Sequence, residues 1–130
     1  MTHYFTREEA EAHLPEISVI LRTIQECHIK VRSLEEDLVV LRAQAMGNGH
    51  HLHERMSKIQ KSLFFEATIL RGALHELQAF GCELKDPAIG LIDFLFLRDG
   101  KEAYLCWHLG EERIAFWHPL DVGLVGRQPL

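Results

Sequence analysis

Apolar residues recur through the first two thirds of the chain at alternating steps of four and three. The series Ile20, Ile24, Cys27, Val31, Leu34, Leu38, Leu41, Ala45 keeps one stripe of an α-helix turned toward a partner through about three and a half heptads. A second series, Leu52, Met56, Ile59, Leu63, Glu66, Leu70, Ala73, Leu77, Phe80, has the same steps. Between them Met46-Gly47-Asn48-Gly49-His50 is short and rich in turn residues. The pattern predicts a long antiparallel helical hairpin, coiled-coil-like, over residues 15–80. Other apolar residues lie off this seam: Leu21, Ile29, Val39 and Val40 on the first helix, Phe64, Phe65, Ile69 and Leu74 on the second. Two helices bury only their facing stripes, so the wider band needs a third layer, either the C-terminal part of the chain or a second copy. Glu66 is the charged member of the seam, and folding about Asn48 and Gly49 brings it level with Lys30 and Val31, in reach of an ion pair.

Ahead of the hairpin, Phe5-Thr6-Arg7-Glu8-Glu9-Ala10 reads as a helix start. Thr6 caps the Glu9 amide and Phe5 staples onto Ala10. Pro15 lacks a donor and crowds the turn before it, which predicts a short helix over 7–13 and a new one beginning at Pro15. Gly81 supplies the left-handed residue after the second helix.

From there the period changes. Lys85-Asp86-Pro87 reads as a turn, residues 89–97 alternate with a period of two, and Asp99-Gly100 is the pair favoured in tight hairpins. Strands over 103–109 and 114–118, joined at Gly110-Glu111-Glu112-Arg113, complete a three-stranded antiparallel meander, and 119–130 reads as an irregular tail. The expected fold class is α+β in one domain, 1–130: a helical part over 5–81, a meander over 88–118 and the tail.

A length of 130 residues suits one modest core, and 25% charged with 47% apolar residues is ordinary for a globular chain. The net charge of −5 argues against nucleic acid as a partner, because phosphate binding needs clustered Lys and Arg. No apolar run is long enough for a bilayer and the start has no signal-peptide core, so the expectation is a cytoplasmic protein with no membrane role. Cys27, Cys82 and Cys106 are widely spaced and odd in number, which fits a reducing compartment.

Candidate chemistry gathers in the meander. Turning the strands about Asp99-Gly100 sets Asp93 opposite Cys106, with Tyr104 and His108 on the same face. His118 joins that face if the second turn holds three residues and points away if it holds two or four. Asp93, Glu111, His118 and Asp121 are hard or borderline ligands that could converge and hold a divalent metal such as zinc, with support from Cys106 or His108. An Asp bonded to a turn and a His ending a strand account for the same letters more simply. Trp107 and Trp117 are expected between sheet and helices. His50, His51 and His53 at the hairpin tip read as a solvated polar loop. Cys106 beside His108 lacks an orienting third group or oxyanion loop, so nucleophilic catalysis finds no support. Arg127 can pair with a carboxylate of its own chain or with an anionic ligand, and the first is the more economical.

Phe5-Thr6-x-Glu8-Glu9-Ala10, Leu14-Pro15-Glu16, Gly90-Leu91-Ile92-Asp93-Phe94, Tyr104-Leu105-Cys106-Trp107, Gly110-Glu111, Trp117-His118 and Gly126-Arg127-Gln128-Pro129-Leu130 occur in that order over nearly the whole chain. Together they resemble the prokaryotic "domain of unknown function 2203" family. The resemblance implies a small bacterial or archaeal cytoplasmic protein of helical hairpin plus β unit, and implies no activity. Leu95 stands where the family commonly has Pro, and His108 where Arg or Lys is usual. The expected function is an interaction or oligomerisation module without catalysis of its own, open to a protein partner. Its surplus apolar band would form a homodimer in a four-helix arrangement that buries Phe64, Phe65 and Ile69. The alternative is a divalent-metal protein, such as a metal-dependent hydrolase, with its site on the meander.

Overall fold

The computed structural model describes residues 2–44 and 50–130, the side chains of His50 and His51 excepted. The turn read around Asn48 and Gly49, and Ala45 of the seam, lie outside the described residues. Two long helices, α1 (Arg7–Gln44) and α2 (His50–Ala79), come first. Strands β1 (Glu83–Asp86), β2 (Leu91–Arg98), β3 (Lys101–His108) and β4 (Phe116–Pro119), a 3₁₀ turn at Leu124–Gly126, and β5 (Gln128–Pro129) follow. The fold class is α+β.

The helices run antiparallel. His13 meets the ring of Phe80 at 5.3 Å, and Lys30 meets Glu66 at 3.8 Å, so rising numbers on α1 face falling numbers on α2. Every described seam residue from Ile20 to Leu41 is buried or half-buried. The charged seam position behaves as its spacing requires, with Glu66 holding Lys30 from the edge of the contact.

Thr6 Oγ1 accepts the Glu9 amide at 3.1 Å and caps α1 as read from sequence. The break at Pro15 does not occur: α1 is continuous through Pro15 for 38 residues. Ala10 and Leu14 before the proline and Ile17 and Leu21 after it are all buried in one core. Packing on both sides of Pro15 outweighs the one lost backbone bond.

The sheet has five strands in sequence order, β1-β2-β3-β4-β5, rather than three. Lys85 and Asp86 lie in β1, and the turn follows them at 87–90. The last strand of the expected meander begins at Phe116 instead of Ile114, and the tail adds β5, whose Gln128 pairs with Trp117. Asp99 (φ 52°) and Gly100 (φ 79°) form the tight turn between β2 and β3.

Ile92, Phe94 and Phe96 of β2 with Ala103, Leu105 and Trp107 of β3 pack on α1 and α2 of the same chain. The sheet thus supplies the third layer over Leu21 and Leu74. Trp117 is only half-buried, with Arg98 stacked 4.4 Å from its ring. Phe5 donates its amide to the Leu95 carbonyl at 2.8 Å and sets its ring 5.1 Å from Phe94. Gly81 (φ 87°) passes so close that a Cβ there would stand 3.0 Å from the Phe5 ring.

Cap and core should separate in an unfolding series. Thr6→Ala is expected to cost about 1 kcal/mol, and Phe94→Ala, at a fully buried ring, about 3–5 kcal/mol. Urea denaturation followed by circular dichroism measures both, and equal costs would contradict the packing described.

Candidate functional site

Residues that alternate with the helix-facing set point to the other face of the sheet. On β2 these are Leu91 and Asp93, on β3 Tyr104 and Cys106, on β4 Phe116 and His118. The register sets Asp93 opposite Cys106 and Tyr104 opposite His118, so the Asp93, Cys106 and His118 side chains share one patch. Segment 119–130 crosses this face and returns to β4, where the Leu130 amide bonds to the Ala115 carbonyl at 2.9 Å. Under that segment Asp93 is 2% exposed, His118 3% and Cys106 1%.

His118 Nδ1 lies 2.8 Å from the Pro119 carbonyl oxygen. A carbonyl only accepts, so Nδ1 carries hydrogen and donates. The other ring nitrogen, Nε2, stands 3.0 Å from Asp93 Oδ2. One proton joins that pair, which is a carboxylate with an imidazolium or an acid with an imidazole, net neutral in both forms. Asp93 Oδ1 is buried and makes no hydrogen bond of ordinary geometry among the described residues. Burial pushes the Asp93 carboxyl above its ordinary range, while the His118 bond and charge, Lys85 and the neighbouring Cys106 thiol pull it down. Burial, then the charge of Asp93, pushes the Cys106 thiol up to about 11 against the pull of Arg127.

A cleft of about 210 Å³ opens beside Asp93 and His118, bounded by Lys85, Tyr104, Asp121 and the strap residues Leu120 to Leu124. Lys85 sits 5.5 Å over the Tyr104 ring and 2.8 Å from Glu83, which also accepts the Tyr104 hydroxyl. The cleft is small and its rim is charged.

The expected ligand set is therefore split. Asp93 and His118 are in direct contact, and Asp121 lines the neighbouring cleft from the strap. Glu111 does not converge with them. Its carboxylate accepts the His108 amide at 2.9 Å and closes an ion pair with Arg127, the intramolecular pairing expected of that arginine. Arg127 also donates to the Cys106 carbonyl at 3.3 Å and lies 4.2 Å over the Phe116 ring, so it clamps the strap to the sheet. The third member of the patch is Cys106, assigned only a supporting role by sequence. His108 turns to the Leu109 carbonyl at 2.8 Å and to Glu111. His53 is exposed on α2, while the side chains of His50 and His51 lie outside the described residues.

Sequence reasoning did not single out Glu11. Its carboxylate takes the Ile114 amide at 3.1 Å and Arg7 at 3.2 Å, tying the β3–β4 connection to α1. No spacing rule reaches across 103 residues. A second surface lies away from the sheet, where Phe64 and Phe65 with Ser57, Gln60, Lys61 and Thr68 line a shallow groove made by α2 alone.

All three thiols are buried and shifted upward, with Cys82 reaching about 12 by desolvation. The native protein at about pH 8 should leave them unreacted by Ellman's reagent, and the denatured chain should react at all three. A rapidly titrating native thiol would contradict the burial described, and at Cys106 it would contradict a closed strap.

The family model described as "Uncharacterized conserved protein (DUF2203)" matches residues 3–130. No curated protein and no solved structure matches the chain. With the match covering nearly the whole chain, from the Thr6 cap to the Arg127 clamp, the chain belongs to the DUF2203 family.

Proposed function

We propose that the protein works as a helical-hairpin association module, in which two copies meet through the outer face of α2. The observation that carries this reading is the exposure of two adjacent aromatic rings: Phe64 is 72% and Phe65 63% exposed. At about 200 Å² per ring, these fractions leave on the order of 250 Å² of aromatic surface per copy in water. Burying it on two copies yields on the order of 10 kcal/mol gross, of the same size as the roughly 4–15 kcal/mol cost of association. Ile69 at 36% extends the face along the same helix.

The face is also self-complementary. An antiparallel crossing centred between Phe64 and Phe65 sets Phe64 against the partner's Phe65, Lys61 against the partner's Thr68, and Ser57 against the partner's Gly72. Among the described residues nothing lies within 4 Å of where a Gly72 side chain would be, which leaves room for a close helix approach. Gly72 is otherwise a cost of about 1 kcal/mol in a helix interior. In this arrangement α2 packs against α2, and α1 stays outside the contact.

Sedimentation velocity tests the reading. The parent should be a dimer at micromolar concentration, and Phe64→Asp with Phe65→Asp should be a folded monomer by circular dichroism. A monomeric parent at that concentration would sink the proposal, as would a dimer that survives both substitutions.

A further inference from the structure

We infer that Asp93, Cys106 and His118 form a binding site for one zinc-class divalent cation, enclosed between β2, β3 and β4 beneath the C-terminal strap. The three residues come from three adjacent strands, and one donor atom from each lies within 4.8 Å of the others. A tetrahedral zinc holds its ligands at about 2.0–2.3 Å, so its donor pairs stand about 3.3–3.8 Å apart. Asp93 Oδ2 and His118 Nε2 are at 3.0 Å already, and the widest gap needs about one ångström of side-chain adjustment.

Two further observations point to a cation and not only to a buried pair. The first is the orientation of His118. Its Nδ1–H is spent on the Pro119 carbonyl, and this is how metal-binding histidines are held, with the far nitrogen donated to a fixed acceptor and the near lone pair aimed at the ion. The second is Asp93 Oδ1, a carboxylate oxygen that makes no hydrogen bond of ordinary geometry among the described residues, in a residue only 2% exposed, with the weak Cys106 thiol donor beside the carboxyl. Leaving such an oxygen unpartnered is costly, and a cation satisfies it.

The charge also balances. Binding takes the proton shared by Asp93 and His118 and the proton of the Cys106 thiol, and releases both to water. What remains is a 2+ ion with one carboxylate, one thiolate and one neutral imidazole, a neutral complex in a buried place. One sulfur, one nitrogen and one oxygen donor suit zinc, cobalt or nickel, and not magnesium or calcium, which require oxygen ligands. The cleft beside Asp93 and His118 leaves room for a neutral fourth ligand, a water.

Cobalt(II) ion is the probe, because a thiolate ligand gives it a charge-transfer band that oxygen and nitrogen ligands do not. Tag-free protein prepared without metal should bind one equivalent of cobalt with that band, and zinc should displace it. Cys106→Ser should abolish the band and weaken binding at least about tenfold. His118→Ala should weaken binding similarly. The Cys27→Ser and Cys82→Ser double variant, with Cys106 as its sole thiol, should keep the band and covers the case in which a site variant fails to fold. A parent saturated with cobalt that shows no thiolate band overturns the assignment. So does a band that persists in Cys106→Ser or disappears in the double variant. The readout does not depend on association through α2, so either proposal can fail without the other.

Discussion

Strand β2 is covered on both faces, and much of the architecture follows from that constraint. Toward the helices it presents Ile92, Phe94 and Phe96, and away from them Leu91 and Asp93. A strand buried twice reads as a continuous apolar run, and 91–97 is one except at Asp93, so the period of two expected over 89–97 is not what this strand shows. A carboxyl group at 2% exposure requires a partner, and the strand two places along in the sheet supplies His118. The pair consequently acts as a register pin. A slip of one residue in either pairing would turn Asp93 into the helix-facing core or carry His118 to the opposite face, leaving a buried polar group unmatched. This gives the polar pair a role in specifying the fold that does not depend on its net contribution to stability.

The parts of the structure legible in sequence are those set by local rules. Heptad steps identified the seam, Thr6 the cap, Gly81 the helix end and Asp99-Gly100 the turn, because each depends on residues a few positions apart. Pro15 misled because its local penalty is opposed by four buried contacts, from Ala10, Leu14, Ile17 and Leu21, that only the tertiary structure reveals. Strands β1 and β5 escaped notice for a related reason. Glu83-Leu84-Lys85-Asp86 and Gln128-Pro129 carry no apolar alternation, since edge strands take their place from a neighbour's backbone, and proline is tolerated there.

The candidate site was half legible. The Asp93–Cys106 pairing follows from the tight turn and was readable, whereas the face of His118 hung on the length of a longer connection. Glu111 had the right chemistry for a ligand but a stronger claim on it lies 16 positions on, in Arg127. An arginine fork fixed over the Phe116 ring and bonded to the Cys106 carbonyl is already oriented for that carboxylate. Ligand type alone could not show that Glu111 was spoken for.

A mismatch of lengths accounts for the exposed half of the hairpin. Eight-residue strands span roughly 26 Å, while α1, at 38 residues, runs about 57 Å. The sheet reaches Ile24 and Ala73 of the buried core, and beyond those residues the hairpin is only two helices deep. Two helices in contact bury a seam each and nothing more. Polar residues would serve the rest of that surface as well as apolar ones, yet Ile29, Val39, Val40, Phe64 and Phe65 stand there with more than half of each exposed. Scattered aliphatic residues are ordinary on a protein surface. Adjacent phenylalanines on the one face of α2 that neither α1 nor the sheet covers are different, because their cost in water is paired with no internal contact that would explain them.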